Sequence, residues 1–173
     1  MRKIINVIIF QTAWFAAVLG TARGMPWLGV VAVLLALAIH LALSPNRISE
    51  LLLALCAAVM GFIADSGLIA GGAFSPVPYI FPTPFSSLWM VMLWVNFATT
   101  INVSMVWLRG RYVVAAIFGA IGGPMAYYSG AKLGAMTGMP ELIGLLAIGI
   151  TWAFASPLLY RVAKVLNDRY SKR

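Results

Sequence analysis

The sequence predicts an all-α membrane protein, a single transmembrane domain over residues 1–173 built as a helical bundle of about six transmembrane helices. Of its residues, 62% are hydrophobic and only 9% are charged, whereas a soluble domain is about half apolar and about a quarter charged. The apolar residues form six runs with short polar breaks, and about 20 residues suffice to cross a hydrocarbon core of about 30 Å. Six spans leave no room for a separate soluble domain.

The first apolar run extends from about Ile4 to Ala22 and has two interpretations. Gly20-Thr21-Ala22 resembles the cleavage site of a secretory signal peptide. However, the apolar region of a signal peptide has about 7–15 residues, and this run is longer and contains Gln11 and Trp14. We therefore predict a transmembrane helix that the mature protein retains.

Five more apolar runs follow, and turn signals rich in glycine, proline or arginine separate them. Examples are Arg23-Gly24-Met25-Pro26, Ser44-Pro45-Asn46-Arg47 and Arg109-Gly110-Arg111, which are sequences that end helices. The predicted spans extend from about Trp27 to Leu43, Ile48 to Ala70, Ser87 to Leu108, Tyr112 to Leu133 and Glu141 to Tyr160.

The longest connection, from Gly71 to Phe85, contains four prolines and four aromatic residues. The prolines exclude a regular helix, because proline lacks a backbone N–H group. The aromatic residues are unsuited to a well-solvated loop and are common at membrane interfaces. We expect this segment to lie at the interface or to fold over the mouth of the bundle.

The distribution of positive charge predicts the orientation in the membrane. If the N-terminus is cytoplasmic, ten of the 12 Lys and Arg residues lie on the cytoplasmic side and only Arg23 and Lys132 on the other. Cytoplasmic loops are enriched in these residues. We therefore predict a multi-pass protein of the bacterial inner (cytoplasmic) membrane with both termini cytoplasmic. The ten residues are Arg2, Lys3, Arg47, Arg109, Arg111, Arg161, Lys164, Arg169, Lys172 and Arg173.

Several common functions have no support in the sequence. The net charge of +8 is spread over small groups between apolar runs, which form no continuous basic face for nucleic acid. The single cysteine, Cys56, excludes an intramolecular disulfide, and His40 has no second histidine or cysteine at metal-ligand spacing. Nucleophile elbows, phosphate-binding loops and cofactor motifs are lacking. We predict no metal, no cofactor and no nucleic-acid partner, and whether the protein is an enzyme stays open.

Polar side chains inside the apolar runs are the candidate functional residues, because each costs a few kcal/mol near the bilayer centre and usually faces the bundle interior. Asp65 is the only acid well within a predicted span, and Lys132 lies at a similar depth in the fifth. We predict that the two residues lie near one another on the outer side and interact. They could form an ion pair that fastens two helices, or they could contact a substrate. The other polar candidates are Asn6, Gln11, His40, Ser66, Asn96, Thr99, Thr100, Asn102, Tyr127, Tyr128 and Ser129.

Asn96, Thr99 and Thr100 follow one another at helical spacing near the middle of the fourth run. Residues three and four positions apart share a helix face. Such a polar face suits either a seam of hydrogen bonds between helices or the wall of a polar cavity. Asn96 is therefore a candidate substrate contact.

The fifth run combines small residues with a proline. Gly119 and Gly123, four residues apart, predict that another helix packs closely against this face. Pro124 predicts a kink. The kink could open a pocket in which Tyr127 or Tyr128 presents its hydroxyl group.

Four segments of the chain together resemble one family. They are NVIIFQTAWF at residues 6–15, Asp65-Ser66-Gly67, LWVNFATT at residues 93–100 and GAIGGPMAY at residues 119–127. The chain is similar over almost its whole length to an uncharacterised domain family of small proteobacterial inner-membrane proteins. The resemblance implies genes often encoded beside cyclopropane-fatty-acid synthase and a role in envelope lipid metabolism, and it implies no catalytic residue.

Three functional hypotheses follow. The first is that the protein binds, or helps to process, an amphipathic, lipid-like substrate. The second is that it is the substrate-binding membrane component of a transporter for a vitamin-like molecule, because such components are small six-helix proteins. The third is a structural role with a membrane-protein partner or a second copy of the chain. Under the first, membrane lipid is a partner and the candidate substrate contacts are Asp65, Asn96, Tyr127, Tyr128 and Lys132.

Overall fold

A computed structural model describes residues 1–170. Two residues of the charge argument, Lys172 and Arg173, lie outside this range. The described chain forms six α-helices and one short 3-10 helix, at residues 106–108. The α-helices are α1 (Arg2–Ala22), α2 (Trp27–Leu43), α3 (Arg47–Ala70), α4 (Leu88–Ile101), α5 (Tyr112–Lys132) and α6 (Leu142–Tyr170).

The predicted bounds of four helices are confirmed, but the sixth helix continues to Tyr170, past its predicted end at about Tyr160, and the predicted length of the fourth is also wrong. The sequence predicted a helix from Ser87 to about Leu108, whereas α4 ends at Ile101. The backbone turns there, and the N–H groups of Val103 and Met105 both donate to the carbonyl of Thr100. Asn and Ser side chains, present at 102 and 104, compete with the helical backbone for hydrogen bonds and so favour such turns.

Four helices, α1, α3, α5 and α6, are long and apolar enough to cross a membrane, while α2 and α4 are shorter. The 14 residues of α4 rise only about 21 Å at 1.5 Å per residue. Eleven of them are buried. Non-helical backbone at either end of so short a helix is acceptable within a membrane only where protein covers it.

The helix α4 lies at the centre of the bundle. It contacts α1, α2, α3 and α6, and the other five helices surround it in the order α1, α2, α3, α6, α5. Neighbours in this order pack against each other, but α1 and α5, at the two ends of the series, do not pack along their lengths. The ring around α4 is therefore open on one side.

The outer helices expose apolar side chains in stripes. On α3 the exposed residues include Leu55, Val59 and Ile63, and on α5 they include Ile117 and Ile121. Four-residue spacing places such residues on one helix face. Exposed apolar surface on this scale is unusual for a soluble monomer. The pattern is that of a bundle whose outer surface faces hydrocarbon.

The proline-rich connection folds over one end of the bundle, as one of the two predicted alternatives proposed. We call this the capped end. Phe74 is buried and its ring lies 5.0 Å from that of Tyr127. The N–H of Val77 donates to the carbonyl of Ala135 at 3.2 Å, so the segment also pairs with the connection between α5 and α6. Trp89 holds it on α4, through a 3.0 Å hydrogen bond to the carbonyl of Val77.

The predicted close packing at the glycines of α5 is confirmed, and the partner is α6. A Cβ atom on Gly123 would lie 2.5 Å from Cγ of Trp152, and one on Gly119 would overlap Ser156. The two glycines thus leave space that Trp152 and Ser156 of α6 occupy.

Candidate functional site

The opening between α1 and α5 forms a cleft of about 800 Å³, which we call the α1–α5 cleft. Its floor is α4, and Trp152 and Ser156 of α6 also line it. The two flanking helices converge at the capped end, where a Cβ atom on Gly134 would lie 3.3 Å from that of Ala22. The other lining residues lie within residues 10–18 of α1, residues 89–97 of α4 and residues 118–133, which cover α5 and the residue after it. Met105 and Met136 also line the cleft.

The walls of the cleft are mostly apolar, and Gly122 of α5 leaves open space beside them. Phe10 and Trp14 line one side and Phe118 and Met125 the other. A Cβ atom on Gly122 would meet no atom within 4 Å. The cleft therefore follows a strip of α5 where side chains are missing.

A small number of polar side chains line the cleft at different depths. Tyr128, Ser129 and Lys132 lie toward the capped end, and all three are exposed. The Lys132 ammonium lies 5.6 Å from the centre of the Tyr128 ring, within the range of a cation–π interaction. Gln11, also exposed, lines the α1 side, 11 residues before the end of that helix, which is about 16 Å along its axis. The cleft thus has a polar end and a mostly apolar length, in which Gln11 is a polar exception.

Asp65 lies behind the floor of the cleft and is completely buried. Its carboxylate accepts a 3.0 Å hydrogen bond from Nε1 of Trp94 and a 2.6 Å hydrogen bond from the hydroxyl of Tyr127. Gly61, one turn earlier on α3, gives the Trp94 ring its space, because a Cβ atom there would overlap that ring. Trp94 and Tyr127 both line the cleft, so Asp65 positions two of its side chains.

The predicted pairing of Asp65 with Lys132 is wrong. Within residues 1–170 the Lys–carboxylate pair is Lys164–Asp168, and the other contact between a basic and an acidic side chain is that of His40 with Glu50. Asp65 faces the bundle interior, where two donors satisfy it, whereas Lys132 is the last residue of α5 and is exposed. A similar position along their helices did not bring the two charges together, because Asp65 is buried in the bundle interior and Lys132 is exposed.

Asn96 belongs to a hydrogen-bonded seam between α1 and α4, and it does not line the cleft. Its Nδ2 donates to the carbonyl of Phe10 at 2.9 Å, and Nδ2 of Asn6 donates to the carbonyl of Thr99 at 3.1 Å. The hydroxyls of Thr99 and Thr100 donate to carbonyls of α4 itself. The sequence left open whether this polar face forms a seam between helices or the wall of a cavity. The structure shows the seam, and the side-chain amides of Asn6 and Asn96 form it.

The two tyrosines of α5 take different positions. Tyr127 is 7% exposed and Tyr128 is 42% exposed. Tyr127 presents its ring to the cleft while its hydroxyl turns to Asp65. Tyr128 has its ring at the margin of the cleft, beside Lys132. The structure thus places Tyr127, Tyr128 and Lys132 of the five candidate contacts in the cleft, and Asp65 behind it.

Sequence reasoning missed the contribution of α6. Trp152 stacks on Trp94 with ring centres 4.2 Å apart and meets Phe97 edge-on at 5.3 Å. Nε1 of Trp152 and Oγ of Ser156 are buried, and neither has a hydrogen-bond partner in the described part of the chain. The glycine spacing on α5 indicated that some helix packs there, but it could not identify which one.

The model of a family described as "Protein of unknown function (DUF2878)" matches residues 3–158. The chain belongs to this family. The match includes every residue that lines the α1–α5 cleft, and it confirms the predicted membership of an uncharacterised domain family. Neither a curated protein nor a solved structure matches the chain.

A second polar cluster of this DUF2878 chain lies at the end of the bundle opposite the cap. His40 of α2 and Glu50 of α3 are buried, and their side chains meet at 3.0 Å. Asn102 donates to Glu50 at 3.1 Å and accepts from both Arg109 and Asn167. The cluster joins α2, α3 and α6 to the turn that ends α4, which is a structural role.

The described residues offer binding surfaces more clearly than reactive groups. Across residues 1–170, no group of three or more His, Cys, Asp or Glu side chains lies close enough to hold a metal ion. The hydroxyl of Tyr127 is hydrogen-bonded to Asp65. The residues that line the cleft suit the binding of a molecule with a long apolar part and a polar end.

Proposed function

We propose that this DUF2878 protein binds an amphipathic, lipid-like molecule in the α1–α5 cleft and serves envelope lipid metabolism by holding or presenting it. The observation that carries the proposal is the cleft itself. Its volume of about 800 Å³ falls within the range of about 300–1,000 Å³ that is typical of small-molecule sites. Its apolar walls suit a hydrocarbon chain, and Tyr128, Ser129 and Lys132 suit a polar head.

The setting that we propose is a bacterial inner membrane with both termini in the cytoplasm. The uneven distribution of Lys and Arg supports this orientation. The capped end then faces the periplasm, together with the polar end of the cleft. The exposed apolar stripes of the outer helices support contact with hydrocarbon, and the short α4 would complete its crossing through its protein-covered flanking segments.

The position of the cleft favours an amphipathic occupant over a water-soluble one. Its two margins carry exposed apolar side chains, among them Phe15, Phe118 and Met125. A molecule already dissolved in the bilayer can enter sideways between α1 and α5. A vitamin-like substrate arriving from water would instead have to cross this apolar margin or the proline-rich cap.

The test is to identify the molecules that remain bound to the purified protein and to compare two matched variants by mass spectrometry. Gly122→Leu places a side chain in the open space of the cleft, whereas Gly67→Leu places the same side chain on α3, where a Cβ atom also meets nothing within 4 Å. We expect the wild type and Gly67→Leu to retain the same amphipathic molecule and Gly122→Leu to lose it.

Equal retention by Gly122→Leu would contradict binding in the cleft. A water-soluble cofactor-like molecule in place of an amphiphile would contradict the class of ligand. Because both substitutions replace glycine by a better helix former inside a helix, a general effect on folding would appear in the two variants alike.

A further inference from the structure

We propose that the occupant of the α1–α5 cleft is an anionic amphiphile with a single apolar chain, whose head lies against Lys132. This inference rests on the proposed function, because it concerns the same cleft. It adds the sign of the charge on the head and the number of chains. The compact head would be a carboxylate or a phosphate.

The charge of the lining residues indicates the sign of the head. Among the cleft-lining residues of the described range 1–170, Lys132 is the one that is charged, and none is Asp or Glu. The buried acid Asp65 lies behind the floor of the cleft, where Trp94 and Tyr127 donate to its carboxylate. Within the described residues, no carboxylate pairs with Lys132. A cation without a protein counterion at the edge of a low-dielectric cleft attracts an anion.

The neighbours of Lys132 suit the same head. Ser129 and Tyr128 precede it by three and four residues, so all three side chains share one face of α5. Both residues are exposed and line the cleft. Hydroxyl donors and an ammonium together provide charge-assisted hydrogen bonds, which are the stronger kind for an anionic oxygen.

The length and width of the cleft indicate one chain. From Lys132 the lining residues continue along α5 to Phe118, a distance of about 21 Å at 1.5 Å per residue. This exceeds half of a hydrocarbon core of about 30 Å, so an extended chain fits lengthwise. The volume of about 800 Å³ is that of a site for a single drug-sized molecule, and a two-chain lipid is larger.

The experiment measures photo-crosslinking of matched probes to the protein in nanodiscs of zwitterionic phospholipid. The probes share one alkyl chain with a photoreactive group and differ in the head, which is a carboxylate, a phosphate, an alcohol or a trimethylammonium. We expect both anionic probes to label peptides of α1 and α5 about tenfold more than the alcohol, a ratio that corresponds to about 1.4 kcal/mol. The trimethylammonium probe should label least.

Variants of Lys132 test the origin of the preference. Lys132→Met should reduce the preference of the cleft for anionic probes to about onefold, and Lys132→Glu should reverse it in favour of trimethylammonium. Lys164→Met is the matched control, because Lys164 is exposed on α6 and does not line the cleft. Thermal unfolding verifies that all three variants fold.

The possible failures are distinguishable. Equal labelling of α1 and α5 by all heads, unchanged in Lys132→Met, would overturn the anionic head while leaving the proposed function intact. Competition by an anionic two-chain phospholipid that exceeds competition by the unlabelled fatty acid would overturn the single chain. Labelling of α1 and α5 that does not fall in Gly122→Leu would contradict the proposed function as well.

Discussion

At the scale of single residues, the most informative side chain is Asp65. Its burial could be predicted, because a carboxylate within an apolar run must face the interior of the bundle. Its partners could not be predicted, since they depend on which helices adjoin α3. Trp94 of α4 and Tyr127 of α5 donate to its oxygens. Lys132, the partner predicted from its similar depth in the membrane, forms no ion pair with it in the described residues.

This arrangement predicts that Asp65 and Lys132 contribute to stability independently. Asp65→Asn places an N–H group where two donors need acceptors, so we expect it to lower the free energy of unfolding by about 1–3 kcal/mol. Lys132→Met should cost less than about 1 kcal/mol, the usual contribution of an exposed cation–π contact.

Thermal unfolding in detergent measures the two single variants and the double variant. We expect the effects to add within about 0.5 kcal/mol, as for residues that share no partner. Recovery of stability in the double variant would instead show that the two charges are coupled.

At the scale of helices, the contact between α5 and α6 shows what a sequence pattern can and cannot predict. Glycines four residues apart indicated a tightly packed face. The identity of the partner helix, and the indole ring that fills the space beside Gly123, depend on the order of helices around α4. The end of α4 was mispredicted for a related reason, because a hydrophobic run continues past Ile101 although the helix does not.

Adjacent glycines of α5 provide a matched pair for this contact. Gly123→Leu should lower the free energy of unfolding by about 1–3 kcal/mol, because a larger side chain must displace Trp152. Gly122→Leu faces the open cleft and should leave the melting temperature unchanged or slightly raised. Thermal unfolding of both variants checks this, and equal destabilisation would show that the substitution harms the helix itself.

At the scale of the whole molecule, the all-α class followed from composition, and the places of most helices followed from the spacing of the apolar runs. The cleft could not be predicted from the sequence. It lies where α1 and α5 do not pack along their lengths, and a local sequence pattern does not indicate which helices lack a contact. Three residues that line the cleft, Tyr127, Tyr128 and Lys132, were nevertheless candidates from the sequence, because polar residues are rare in an apolar helix.

The proposed orientation predicts the result of reporter fusions. A reporter fused after Pro78 should be periplasmic, because the cap lies opposite the ends richest in Lys and Arg. A reporter fused after Gly110 should be cytoplasmic, which tests whether the short α4 and its flanking segments cross the membrane. A cytoplasmic reporter after Pro78 would reverse the proposed topology.

The central claim is that the α1–α5 cleft holds an amphipathic molecule, and the most direct measurement is an experimental density map of the protein in a lipid nanodisc. We expect elongated density between α1 and α5, with its polar end beside Lys132 and Tyr128 and its length along Gly122 toward Ser156. Close packing of α1 against α5 with no space between them, or side chains filling the cleft, would contradict the claim.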